Sequence, residues 1–170
     1  MKPSKKRFEL IEHTADTGLV ASGSTLAEAF ANAAYGMFSV IADLVNVRES
    51  ESRKVEVQAD DAEMLLVAWL NELLYIFDVH RLLMCRFDIT DFNGRCLAAT
   101  CYGEKYDPSR HQIKLGVKAA TYHMVKVDGL KNQVRVRSVA IHQGKAKPKI
   151  PGDVYDAFAL YGGPREPTEC

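Results

Sequence analysis

"LMCRFDITDFNGRCLAATCYGEKY", residues 83–106, is the stretch that decides the fold class. Apolar and polar residues alternate on both sides of Asn93-Gly94, a dipeptide suited to a two-residue hairpin turn, so it predicts two antiparallel strands. The pattern recurs downstream. "VKAATYHMVKV" (117–127), Asp128-Gly129 and "NQVRVRSVAI" (132–141) predict a second hairpin. In it Val134, Val136 and Ser138 face one way, and Arg135 and Arg137 the other. "SRHQIKLG" (109–116), between the hairpins, fits neither period. Strands that follow one another with no helix between them argue for an α+β fold on a largely antiparallel sheet, not a doubly wound parallel one.

Upstream the period changes to that of a helix. In "STLAEAFANAAYGMFSVIAD" (24–43), Thr25 and Glu28 have the spacing of a capping box, and Leu26, Phe30, Met37 and Ile41 share a face. A helix is predicted over 25–41. In "DDAEMLLVAWLNELLYIFDVH" (60–80), Asp60 and Glu63 repeat the capping spacing. Leu66, Leu70, Leu73 and Phe77 form a stripe that Leu65, Trp69 and Ile76 widen, which predicts a helix buried around most of its circumference. Glu72 belongs either at the edge of that stripe or against a buried cation. "RKVEVQA" (53–59) alternates as a strand, as do residues 8–13 and 18–22. The order is β-β-α-β-α-β-β-β-β: two amphipathic helices packed on sheet, in one domain.

The chain has 170 residues, enough for one sizeable core. Lys plus Arg and Asp plus Glu number 22 each, so no global field gathers nucleic acid, and only a local patch is open to that role. The four cysteines form no CxxC pair, which disfavours a zinc knuckle and suits a reducing cytosol. The opening "MKPSKKRF" has no apolar core behind it and does not read as a signal peptide. No apolar run approaches the ~20 residues of a membrane span.

"HTAD", residues 13–16, puts an imidazole, a hydroxyl and a carboxylate between two strands. Asp16 there is either a hard oxygen ligand for calcium or magnesium or an acceptor of turn amides. His13 is a ligand, a base, or a strand-end residue held by a carbonyl. Asp43 either ends the first helix or adds a second acidic ligand. Glu104 and Lys118 read as solvated. Thr121, Tyr122 and His123 suit hydrogen bonding within a strand. Phosphate loops, GxGxxG, HExxH and GxSxG are all absent, and no nucleophile sits beside a base.

Taken in order, "FELIEHTADTGLVASGSTLAEAFANAAYGMFSVIAD", "DAEMLLVAWLNELLYIFD" and "GEKYD…H…VKAATYHMVKV" resemble the archease family, over about residues 7–141. The resemblance implies a protein that assists an RtcB-type RNA ligase in tRNA splicing or RNA repair, and not an enzyme itself. It promotes guanylylation of the ligase and repeated turnover, through an acidic metal-binding tip. Asp16 matches the family's metal-binding aspartate, Lys118 the lysine of the KAxTYH strand, and Asp43 an acidic position after the first helix; His13 joins them as a candidate for the activation surface. The cation implied is calcium ahead of magnesium or manganese. The partner implied is the ligase, with RNA engaged only indirectly, in the cytoplasm and away from membranes.

One departure weakens the implied metal site. Family members end shortly after an Asp in the last strand, whereas Val139 or Ala140 stands there in this chain. The chain also continues from Ile141 to Cys170, so the terminal carboxylate is displaced by about 29 residues. Asp43, or Asp153 and Asp156 of the extension, are the acids left for that place. Residues 1–6 read as a basic tail, 7–141 as the archease-like domain and 142–170 as an atypical extension. Two other function classes are carried forward. A metal-dependent phosphohydrolase requires converging carboxylates, and a general chaperone or binding module requires a large exposed apolar surface.

Overall fold

The computed structural model describes residues 7–12 and 17–141. Strands β1 (Phe8–Glu12) and β2 (Thr17–Ser22) precede helix α1 (Leu26–Ile41). A short 3-10 turn, Leu44–Asn46, leads to β3 (Glu51–Gln58) and helix α2 (Ala62–His80). Strands β4 (Leu82–Phe92), β5 (Cys96–Lys105), β6 (Gly116–Asp128) and β7 (Gln133–Ile141) complete the described chain.

The predicted element order is therefore realised, but the strands form two sheets instead of one. One has the order β1-β2-β7-β6 and the other β3-β5-β4, and every pairing is antiparallel. The inner faces of both sheets lie on the two helices, and a continuous apolar cluster runs through all of them. Trp69 of α2 is fully buried at its centre, with its indole N–H donated to the Phe30 carbonyl of α1 at 3.1 Å and its ring edge-on to Phe87 of β4. No helix among the described residues is long and apolar enough to cross a membrane.

The helix starts follow the caps read in the sequence, with one correction. Thr25 accepts from the Glu28 amide at 3.1 Å, as its spacing predicts. On α2 the cap is Asp61, not Asp60: its carboxylate accepts from the Met64 amide at 2.8 Å. Glu63 is thereby freed from the capping role and accepts instead from the Val127 amide of β6 at 3.3 Å. Glu72 is half-buried on α2. The turn between β4 and β5 is held by Asn93, whose side chain accepts from the Arg95 and Cys96 amides, with Gly94 at φ +87°.

Asn71 of α2 contributes a less common device. Its amide N–H bonds the Ala120 carbonyl at 3.1 Å and its carbonyl accepts the Ala120 N–H at 2.8 Å. The side chain thus occupies both hydrogen-bonding groups that Ala120 would otherwise offer to a further strand. Asn71→Ala removes both partners from a covered backbone site. We expect a loss of about 2 kcal/mol, read in urea unfolding, with amide exchange at Ala120 quickened well beyond the average.

Candidate functional site

Register brings several predicted residues to one end of the four-stranded sheet. Glu12 pairs with Thr17, so the end of β1 and the start of β2 lie together there. Thr17 pairs with Ser138, Ser138 with Ala120, and Gly116 with Ile141, so the start of β6 and the end of β7 lie there too. Lys118 is exposed on this part of β6. The loop carrying Asp43 reaches the same strand start. Ala42 forms a bridge with Ile113, and the Lys114 amide donates to the Ile41 carbonyl at 2.7 Å, two residues before β6 begins. His13 and Asp16 themselves lie outside the described residues.

Asp43 does not end α1, as one reading had it; the helix stops at Ile41 with Ala42 as its cap. Asp43 caps the following 3-10 turn instead, accepting from the Val45 amide at 3.2 Å. Among the described residues no group of three or more His, Cys, Asp or Glu converges as a metal site. Calcium takes about 6–8 oxygen ligands. Asp43 is of the right hard-oxygen chemistry, but one carboxylate, half committed to a cap, falls short of a cation's needs.

The sequence reading missed a second cluster. Glu104, at the end of β5, was expected to be solvated, yet it is only 7% exposed. Its two carboxylate oxygens accept both Arg110 guanidinium nitrogens, at 2.9 and 3.0 Å. One of them also takes the Arg48 amide at 3.0 Å and lies 2.8 Å from His111 Nε2. The Asp107 amide donates to His111 Nδ1 at 3.0 Å, which puts the ring hydrogen on Nε2, facing Glu104. The Arg110 hydrogen bonds, with help from the Arg48 amide and His111 against the cost of burial, hold the Glu104 carboxyl down to about 2, from an ordinary 4.5.

This cluster explains how the unreadable stretch 109–116 is ordered. Arg110 also reaches the Asn46 carbonyl at 3.2 Å, so Glu104 ties the loop before β6 to the loop after α1. The loop after α1 carries Asp43, and the loop before β6 leads into the strand that carries Lys118. The cluster is a brace beneath the sheet end, and His111 and Glu104 present no open position to a substrate. Nothing in the spacing of Glu104, Arg110 and His111 along the chain marks them as partners.

Comparison with known proteins agrees with this architecture. The family model of the Archease protein family matches residues 8–140. The chain is similar to protein archease of Pyrococcus abyssi, 43% identical over 128 residues, covering 74% of this chain and 90% of that one. It is also similar to protein archease of Methanosarcina acetivorans, 38% identical over 144 residues, covering 80% of this chain and 99% of the other. Among solved structures, the solution structure of Methanobacterium thermoautotrophicum protein 1598 superposes with a TM-score of 0.64 at 33% identity, over 81% of this chain and 99% of that one. With helices, sheets and sequence all in agreement, the chain belongs to the archease family.

Proposed function

We propose that this chain is a non-catalytic protein cofactor of an RtcB-type RNA ligase, promoting guanylylation and repeated turnover of that ligase in tRNA splicing or RNA repair in the cytoplasm. The observation that supports this reading best is that the Asp43 loop and the start of β6, which carries Lys118, meet at the sheet end where β1 stops and β2 begins. An end built this way, stiffened by the Glu104 brace, suits a tip that inserts into another molecule's reaction centre.

Asp16 is the proposed metal residue, with His13, Asp43 and Lys118 as the activation surface. A divalent cation held there, calcium ahead of magnesium or manganese, supplies positive charge to neighbouring phosphate oxygens when bound. What the described residues contribute is placement: Glu104 and Arg110 tie the loop after α1, which carries Asp43, to the loop that leads into β6.

The test is ligase guanylylation with and without this protein. Asp16→Ala is expected to lower the stimulated rate by about tenfold or more, since even residues that only support metal ligands cost that much. Equal stimulation by the wild type and the variant removes Asp16 from the mechanism.

A further inference from the structure

The outward face of the four-stranded sheet carries a feature that metal-tip activation does not use. Register aligns Glu9, Val20, Arg135 and Lys126 in one row across β1, β2, β7 and β6. Arg135 and Lys126 are directly opposite one another and both exposed, while Val134 and Val136 on the reverse face are buried. Like charges placed directly across a strand pair destabilise the sheet. Neither residue forms an ion pair among the described residues, and the one acid in the row, Glu9, is two strands away from Arg135. The other sheet treats its exposed arginine differently: Arg86 is paired with Glu49 and Asp88.

More widely, residues 114–149 hold nine Lys or Arg against a single acid, Asp128, in a chain whose total charge is zero. This stretch is therefore strongly basic in sequence, and it supplies both exposed cations of the row.

We infer that the outward face of β6 and β7 binds the phosphodiester backbone of single-stranded RNA, with Arg135 and Lys126 as contacts. The choice of nucleic acid over an acidic protein rests on what lies between the charges. A protein interface has an apolar centre depleted of charge, whereas here Arg135 and Lys126 stand side by side on neighbouring strands with only Val20 beside them on β2. Backbone contacts of this kind need only accessible, unneutralised cations in line. The inference stands apart from the ligase-activator reading and requires no ligase to test.

The full chain should bind a fluorescein-labelled oligouridylate in fluorescence anisotropy. Affinity should fall from about 50 to about 200 mM salt with a logarithmic slope of about −1.4 or steeper, at about −0.7 for each phosphate neutralised. The double variant Lys126→Glu/Arg135→Glu should bind about tenfold or more weakly with a flatter slope, and Lys126→Gln/Arg135→Gln should fall between. Lys54→Glu, on the other sheet, should bind like the wild type, and thermal melts of all variants report whether each is folded. The inference is overturned if the wild type shows no salt-sensitive binding, or if folded double variants bind unchanged. It is equally overturned if polyglutamate competes as well as unlabelled oligouridylate, which would assign the face to an acidic protein.

Discussion

Trp69→Ala is expected to destabilise the protein by about 4 kcal/mol, the upper range for removing a large buried aromatic. Trp69 is fully buried where α1, α2 and β4 meet. Truncation opens a cavity between the two helices and β4, elements of different layers, so no single layer can collapse to fill it. It also removes the indole donor from the Phe30 carbonyl, which keeps only its helical partner. The loss corresponds to a fall in melting temperature of about 8–16 °C for a chain of this size. Trp69→Phe retains most of the volume and forfeits the hydrogen bond, so it should cost roughly half as much. Calorimetry on the three proteins checks the order; a melting temperature unchanged in Trp69→Ala would show that the junction does not carry the core.

Glu104→Ala should be the next most damaging change, at about 2–3 kcal/mol. It strands Arg110, His111 and the Arg48 amide together, since all of them bond this one carboxylate. The figure is placed below that of a fully buried pair because the Arg110 side chain is 34% exposed and regains some water. The wild type should show the corresponding pH dependence. The folded carboxyl sits at about 2 against an ordinary 4.5, a lowered value. Its contribution is thus complete above pH 4.5 and is lost as pH falls from there toward 2. Glu104→Ala should unfold with a shallower dependence across that window, measured by urea titration at a series of pH values. If wild type and variant run parallel through it, the carboxylate is not the titrating brace.

Both changes concern parts of the molecule that were unequally legible in the sequence. Trp69 stood in a stripe with Leu66, Leu70 and Leu73, and helical periodicity alone placed it inside. The hairpin at Asn93-Gly94 and the alternation of Val134, Arg135 and Val136 were equally plain, because each depends on local geometry. Glu104 was opaque for a definite reason. It shares strand parity with Ala98, Thr100 and Tyr102, the side of β5 opposite buried Leu97, Ala99 and Cys101. Alternation therefore sent it to solvent. It is buried by the loops after α1 and before β6, which close over the strand end, and loop closure leaves no periodic trace. The same limit applies to Asp43, whose role changed from ending a helix to starting a turn. Asp16 and His13 were drawn from the resemblance and from residue chemistry, not from any pattern that fixes a site.

The Asn71 clasp on Ala120 determines where this protein can grow. A foreign segment seeking to join the four-stranded sheet through its backbone finds that flank already occupied by a carboxamide, with Glu63 engaged further along. The opposite flank, β1, is a mere five residues long. Edge-to-edge growth of the four-stranded sheet is thus obstructed on one border and poorly rewarded on the other.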